Sequence, residues 1–160
     1  MQQRSIGIAS VSAIGLGCMN LSHAYGTPPS EAAAAALLAR ALERGITHFD
    51  TAALYGFGRN ETLLGKALKP HRQRIFLASK CGMTGVSGRR VIDGRPETLK
   101  RTCEESLRRL QTDVIDLYYL HRWDRQVPIE DSVGALARLV RQGKVRMIGL
   151  SQGSPPPLRR

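Results

Sequence analysis

The sequence predicts an α/β fold with a parallel sheet. Two observations predict it: five short apolar runs alternate with four helical segments, and each helical segment is about 10 to 15 residues long. Helices of this length between consecutive strands are typical of right-handed crossovers that join parallel strands. The length of 160 residues corresponds to a single domain.

The first strand and helix occupy the amino-terminal part of the chain. The apolar run VSAIGLGCM at 11–19 is rich in glycine near its end, which predicts a strand that leads into a loop. A helix is predicted at 31–44, because Ser30 can accept a hydrogen bond from an amide of the first turn and Gly45 favours termination.

The second and third units repeat this order. A strand at 46–49 precedes a helix at 60–68, for which Asn60 is the predicted cap. A strand at 74–79 precedes a helix at 96–110, whose first residue is a proline. Proline suits the first helical turn because an amide at that position has no partner within the helix.

The fourth unit has the clearest helix boundaries. A strand is predicted at 113–120. The helix predicted at 128–142 begins with a proline, has acidic residues in its opening turn and is followed by a glycine. The run KVRMIGL at 144–150 predicts a fifth strand.

The chain is strongly basic, with 24 Lys and Arg against 13 Asp and Glu, which gives a net charge of +11. Such a charge attracts nucleic acids, anionic surfaces and phosphorylated small ligands alike. In the most basic segment, 89–110, acidic residues alternate with basic ones at helical spacing, as on a solvated helix face. Aromatic residues are too few to form a base-stacking platform, so we expect no nucleic-acid partner.

The sequence has no membrane or disulfide signal. No stretch reaches the roughly 18 apolar residues of a membrane span, and the start MQQRSIGIAS lacks the apolar core of a signal peptide. The three cysteines, Cys18, Cys81 and Cys103, are widely spaced and form no CxxC pair. We expect a cytoplasmic protein with reduced thiols, no metal site and no membrane partner.

Polar residues follow the predicted strands at the same place in successive units. Asp50, Lys80, His121 and Ser151 each come directly after a predicted strand. The carboxyl ends of the strands carry the active site in α/β barrels, and neighbouring strands lie roughly 5 Å apart. We therefore expect Asp50, Lys80 and His121 to converge on one catalytic pocket.

Six segments of the chain resemble the aldo-keto reductases. They are AIGLGCMNLS, THFDTAALYG, GRNETLLGKAL, IFLASKCG, DVIDLYYLHR and GKVRMIGLS. The resemblance implies an NADPH-dependent oxidoreductase that reduces aldehydes or ketones to alcohols, with a small carbonyl substrate. It also implies a (β/α)8 TIM barrel of which strands 1 to 5 of 8 are present, in residues 1–151, followed by a Pro-rich tail at 152–160.

The resemblance further implies a catalytic tetrad. Tyr55 is the general acid, Lys80 and Asp50 tune it, and His121 orients the substrate carbonyl. Hydride addition to a carbonyl leaves an alkoxide that must receive a proton, and an ammonium beside a phenol favours release of that proton. A neutral imidazole polarises the carbonyl oxygen. Taken singly, each of these residues is more often structural than catalytic, so the prediction depends on the whole set.

Cofactor and substrate contacts are also implied. The resemblance indicates that Met19 and Asp50 contact the nicotinamide ribose of NADPH and that Ser151 binds the carboxamide. Gln152 stands where many members of the family carry Asn or Glu, as a second carboxamide contact. The predicted substrate-binding residues, both loop aromatics, are Tyr25 and Trp123.

Three functions stay open. The first is the reductase, the second is a non-catalytic binding subunit, because the family includes potassium-channel β subunits, and the third is a gene fragment without function. The chain supplies five of eight strands and ends in SPPPLRR, so we expect a truncated barrel with impaired cofactor binding and activity. An open sheet edge also predicts self-association.

Overall fold

A computed structural model describes residues 1–22, 25–86 and 88–151. Its strands are β1 Gln3–Ile6, β2 Ala9–Ser12, β3 Leu16–Gly17, β4 His48–Asp50, β5 Phe76–Cys81, β6 Met83–Val86, β7 Arg89–Ile92, β8 Ile115–Leu120 and β9 Val145–Leu150. Its α-helices are α1 Glu31–Glu43, α2 Arg59–Leu68, α3 Pro96–Leu110 and α4 Ile129–Arg141. Short 3-10 helices lie at Met19–Leu21, Tyr55–Gly58 and Lys69–Arg74.

Five strands form the central sheet. Their order is β3-β4-β5-β8-β9, and every neighbouring pair is parallel. Each of the four α-helices lies between two consecutive strands of this sheet along the chain. The predicted α/β fold is therefore confirmed, and the sheet corresponds to five of the eight strands of a (β/α)8 barrel.

The two faces of the sheet carry different side chains, because successive residues of a strand point to opposite sides. On the face that packs against the helices, Phe49 and Leu77 belong to the larger apolar core. On the other face, Phe76 packs with Val11 of β2 in a second apolar cluster. Lys80 lies four residues after Phe76, so it projects from this second face.

The ends of the predicted helices are within one residue of those in the structure. The Oγ of Ser30 accepts a 3.2 Å hydrogen bond from the amide of Ala33, and Pro96 opens α3. Among the described residues, no helix is long and apolar enough to cross a membrane.

The prediction that Asn60 caps α2 is wrong. The helix begins at Arg59, Gly58 occupies the N-cap position, and Asn60 is fully buried inside the first turn. The physical reason is that its amide is hydrogen-bonded to the loops that follow β3 and β4, which the side chain reaches only from within the helix.

The prediction of a single strand at 11–19 is also wrong. β2 ends at Ser12 and pairs antiparallel with β1, whereas only Leu16–Gly17 joins the central sheet. The Ser12 amide donates to Thr47 Oγ1 and the Thr47 amide donates to Ser12 Oγ, each at 2.9 Å. These bonds hold the hairpin against the start of β4, at the amino end of the sheet.

A second hairpin, formed by β6 and β7, was not expected from the sequence. It leaves β5 at the carboxyl end of that strand and returns to α3. All four residues of β7 are exposed, so this strand lacks the alternation of apolar and polar residues that predicts a strand.

Candidate active site

Lys80 is the centre of the site. It lies near the carboxyl end of β5, and only 8% of its surface is exposed. Its Nζ donates hydrogen bonds to Asp50 Oδ1, to the Thr51 carbonyl oxygen at 2.8 Å and to the Tyr55 hydroxyl at 3.3 Å. A buried ammonium requires such partners, because an unpaired charge is costly to remove from water. Three residues of the predicted tetrad are thus in contact.

The phenol of Tyr55 lies between Lys80 and His121. Tyr55 begins the 3-10 helix after β4, and Nζ of Lys80 lies 5.0 Å from the centroid of its ring. The rings of Tyr55 and His121 meet edge to face, with 5.8 Å between their centroids. The four residues predicted as catalytic therefore lie together at the carboxyl end of the sheet.

His121 has a neutral ring at pH 7. Its backbone amide, just after β8, donates to the Cys81 carbonyl oxygen at 2.8 Å. Burial, together with the positive charges of Lys80, Arg122 and Arg90, lowers the pKa of the imidazole to about 4. Nδ1 is buried and has no hydrogen-bond partner within the described part of the chain. A neutral imidazole donates through one nitrogen and accepts through the other.

Asn60 joins the two loops that frame the site. Its Oδ1 accepts a 2.6 Å hydrogen bond from Thr51 Oγ1. Its Nδ2 donates to the Cys18 carbonyl oxygen at 2.8 Å and to Ser22 Oγ at 2.6 Å. The Thr51 carbonyl oxygen accepts a hydrogen bond from the Lys80 ammonium. Cys18 and Ser22 flank the turn at Met19–Leu21. One amide therefore fixes both loops relative to α2.

The supporting roles of Asn60 and Glu61 were not recognised from the sequence. Glu61 is fully buried, and its carboxylate accepts hydrogen bonds from Ser79 Oγ at 2.6 Å and Arg109 Nε at 2.7 Å. This carboxylate ties β5 to α2 and α3 behind the site lysine. The available signal was helical spacing, because Asn60 and Glu61 lie four and three residues before the buried Leu64.

The predicted cofactor contacts lie at the same end of the sheet. Met19 is half-buried in the turn after β3, and Ser151 follows β9, where its amide donates to the Leu120 carbonyl oxygen at 3.0 Å. The side chain of Asp50 is 32% exposed, and its Oδ2 accepts no hydrogen bond from the described residues. An available carboxylate oxygen and a hydroxyl suit the hydroxyls and carboxamide of a nicotinamide nucleoside. Gln152 lies outside the described residues.

The two predicted substrate-binding aromatics differ in their surroundings. Trp123 comes two residues after the site histidine, and its Nε1 donates to the Val127 carbonyl oxygen at 3.1 Å. Tyr25 is 84% exposed and has a positive φ of 51°. Another aromatic, Phe57, lies two residues after Tyr55, and a Cβ at Gly85 of β6 would overlap its ring.

Comparison with known proteins identifies the family. Residues 13–157 match the Aldo/keto reductase family. The chain belongs to this family. The match includes the whole central sheet and the four α-helices, so the site geometry above lies within the family's shared region.

Relatives of this aldo-keto reductase chain include the "Probable aldo-keto reductase 1" of Glycine max, 47% identical over 152 residues, which are 94% of this chain and 44% of the relative. The holo form of an aldo-keto reductase from Bacillus halodurans superposes with a TM-score of 0.89 and 39% identity, over 99% of this chain and 53% of that one. An aldo/keto reductase from Klebsiella pneumoniae, in complex with NADP and acetate, gives a TM-score of 0.75 and 32% identity, over 94% of this chain and 49% of that one. The chain thus spans about half the length of these relatives.

Proposed function

We propose that residues 1–151 form the N-terminal part of the barrel of an NADPH-dependent aldo-keto reductase that reduces aldehydes or ketones to alcohols. The observation that carries the proposal is the bonding of one lysine: Lys80 donates to both the Asp50 carboxylate and the Tyr55 hydroxyl. A phenol beside an ammonium suits proton transfer, because the positive charge favours the phenolate that remains. Membership of the family supports the same chemistry.

Each tetrad residue has a separate task in this proposal. Tyr55 donates its hydroxyl proton to the carbonyl oxygen of the substrate, and Lys80 stabilises the resulting phenolate. Asp50 holds the ammonium in place through its carboxylate. The neutral imidazole of His121 donates a hydrogen bond that orients and polarises the carbonyl. NADPH, when bound, supplies the hydride.

The proposed cofactor site uses Met19 and Asp50 for the nicotinamide ribose and Ser151 with Gln152 for the carboxamide. The available Oδ2 of Asp50 supports this assignment, since it can accept a hydrogen bond from a ribose hydroxyl. The relative from Klebsiella pneumoniae, which was solved with NADP, supports a nicotinamide cofactor. The residues proposed to contact the substrate are Tyr25 and Trp123.

The isolated 160-residue chain is proposed to reduce carbonyls slowly. Its described residues supply five of the eight strands of a barrel. Much of the lowering of the activation barrier depends on a well-positioned nicotinamide, and five strands alone position it less well.

The outer edge of β9 also favours self-association, because an unpaired parallel strand offers amide and carbonyl groups to another chain. Sedimentation should show dimers or larger species, and a compact monomer would contradict this part. A cytoplasmic location belongs to the same proposal.

The direct test is Tyr55→Phe in a chimera that joins residues 1–151 to the C-terminal half of the Glycine max relative. Phenylalanine keeps the ring and removes the proton, so carbonyl reduction should fall by about 10²-fold or more. The affinity for NADPH, measured by its fluorescence, should barely change. Tyr119→Phe is the matched control, because it removes a hydroxyl from the same face of the sheet outside the tetrad.

The opposite result would change the assignment. If Tyr55→Phe reduced the aldehyde at the parental rate while NADPH still bound, Tyr55 would not be the proton donor. A binding role, as in a non-catalytic subunit, would then be the better account of this pocket.

A further inference from the structure

The hairpin of β6 and β7 stands beside the site histidine. Its base is closed by the Asp93 amide, which donates to the Gly82 carbonyl oxygen at 3.1 Å, and is tied to the segment after β8 by the Gly94 amide, which donates to Asp124 Oδ2 at 3.1 Å. Gly82 also lies close to Arg122, since a Cβ at Gly82 would be 3.6 Å from the Arg122 carbonyl oxygen. The hairpin is therefore fixed next to the residues that follow His121.

Arg90 projects from the side of the hairpin that packs against Phe57. It lies opposite Gly85, and residues directly opposite in an antiparallel pair project from the same face. The ring of Phe57, two residues after Tyr55, covers that face at Gly85. Arg89, one residue earlier in β7, projects from the other face. The two neighbouring arginines thus differ in their position relative to the site.

Arg90 and Arg122 have no counter-ion in the part of the chain that the structure describes. The nearby acids of the hairpin base have other partners: Asp93 pairs with Arg95 at 2.5 Å, and Asp124 accepts hydrogen bonds from two backbone amides. Two positive charges therefore remain available beside the pocket.

Both charges act on the reaction site itself. Together with burial and Lys80, Arg122 and Arg90 lower the pKa of His121, which places their field at the imidazole. The carboxylate of the tetrad, Asp50, forms an ion pair with Lys80 and does not neutralise the two arginines. A pocket with this excess of positive charge favours an anionic ligand and disfavours a cationic one.

We infer that the site takes carbonyl substrates that carry an anionic group, and that Arg90 and Arg122 bind this group. The inference rests on the proposed reductase function, because it places the carbonyl end of the substrate at Tyr55 and His121. A guanidinium donates paired hydrogen bonds that fit a carboxylate or a phosphate, so either group meets the requirement. Arg90 and Arg122 would then determine specificity without taking part in proton transfer.

The test compares ligands that share a carbonyl end and differ in charge. One pair is 4-carboxybenzaldehyde and its methyl ester, and the second is glyceraldehyde 3-phosphate and glyceraldehyde. Titration of each into the 160-residue chain is followed by the NMR resonances of the His121 ring, which His121→Asn assigns. We expect the anionic member of at least one pair to bind about fivefold more tightly, and the preferred pair identifies the anionic group.

Single variants locate the effect. Arg90→Gln and Arg122→Gln should each reduce the preference for the anionic ligand, because glutamine keeps a polar side chain and removes the charge. Arg89→Gln is the matched control, since it removes the same charge from the other face of β7 and should preserve the preference. Equal binding of charged and uncharged ligands in both pairs would overturn the inference, and so would an equal loss in Arg89→Gln and Arg90→Gln.

The kinetic arm separates this inference from the proposed function. In the chimera with the Glycine max relative, reduction of both members of each pair without a charge preference would overturn the inference and support the reductase. Preferential binding of the anionic ligand without reduction of any aldehyde would support the inference as a binding site and overturn the reductase.

Discussion

The Thr51 hydroxyl donates a 2.6 Å hydrogen bond to Asn60 Oδ1, and both side chains are fully buried. Through this bond, α2 fixes the Thr51 carbonyl that receives the ammonium of Lys80 at 2.8 Å. The Nδ2 of the same amide bonds the Cys18 carbonyl after β3. A neutral side chain outside the tetrad thus holds the backbone on which the tetrad depends.

Asn60→Ala should lower the free energy of unfolding by about 2 to 3 kcal/mol, because it leaves buried polar groups of Thr51 and Cys18 without partners. Urea denaturation of the 160-residue chain measures this loss. Thr62→Ala is the control on the same helix: its hydroxyl bonds the Gly58 carbonyl at 3.1 Å, and its removal should cost less than about 1 kcal/mol. Equal losses in the two variants would contradict the special role of Asn60.

The sequence could predict the parts of the fold that depend on local signals. The helix ends follow from Ser30 and Pro96, and the positions of Asp50 and Lys80 follow from the ends of apolar strands. The contacts that assemble the site depend instead on residues far apart in the chain. Asn60 bonds a carbonyl 42 residues away, and helical spacing shows only that this residue is buried, not which group it meets.

The two hairpins show the same limit for strands. The run at 11–19 has the composition of one strand, and its division depends on pairing with β1 and on the bonds between Ser12 and Thr47. Arg90 belongs to a strand whose residues are all exposed, so no apolar pattern marks its place beside the pocket. The charge excess of the sequence was visible, but its location next to His121 required the structure.

Gly65→Ala should destabilise the chain although alanine is the better helix former. Helix propensity alone predicts that the free energy of unfolding rises by up to about 1 kcal/mol. However, a Cβ at Gly65 would lie 2.9 Å from Leu110 Cα in α3, and backbone cannot move aside as a flexible side chain can. We expect this steric contact to outweigh the helix propensity, so that the free energy of unfolding falls by about 2 kcal/mol.

Gly134 of α4 supplies the matched control for Gly65, because the atom nearest to a Cβ there would be Arg138 Nη1 at 3.9 Å. Gly134→Ala should therefore raise the free energy of unfolding by about 0.5 to 1 kcal/mol. Thermal unfolding of both variants measures the difference in sign. A stabilised Gly65→Ala would show that α2 and α3 are further apart than the structure has them.

Arg109→Met should be strongly destabilising, because it leaves the fully buried carboxylate of Glu61 without its cation. Breaking one side of a buried pair costs about 3 to 5 kcal/mol. Arg108→Met, at the exposed neighbouring position, should change stability by less than about 0.5 kcal/mol. The double variant Arg109→Met/Glu61→Gln should recover part of the lost free energy of unfolding, measured by urea denaturation. If it lost as much as Arg109→Met alone, the unpaired charge of Glu61 would not be the cause of the loss.

The stability of the chain should fall between about pH 7 and about pH 5 because of His121. Its pKa is about 4 in the folded state against an ordinary value of 6.5, so between these values the unfolded chain binds more protons and stability rises with pH. The loss therefore begins as the pH falls through the unfolded pKa and is complete below the folded one. Because the ring is partly exposed, solvent screening reduces the effect to about 1 to 2 kcal/mol.

Other titrating groups can be separated from His121 by pH and by substitution. Burial also lowers the pKa of His48, which adds to the loss in the same direction. The pKa of Asp93 lies below its usual range, so its contribution to the free energy of unfolding is lost only at more acidic pH.

Urea denaturation at about pH 7.5 and about pH 5 measures the change in the free energy of unfolding between these two pH values. This change should be smaller in His121→Asn than in the parent chain. A parental difference in His121→Asn would mean that the ring is already protonated in the folded protein at pH 5.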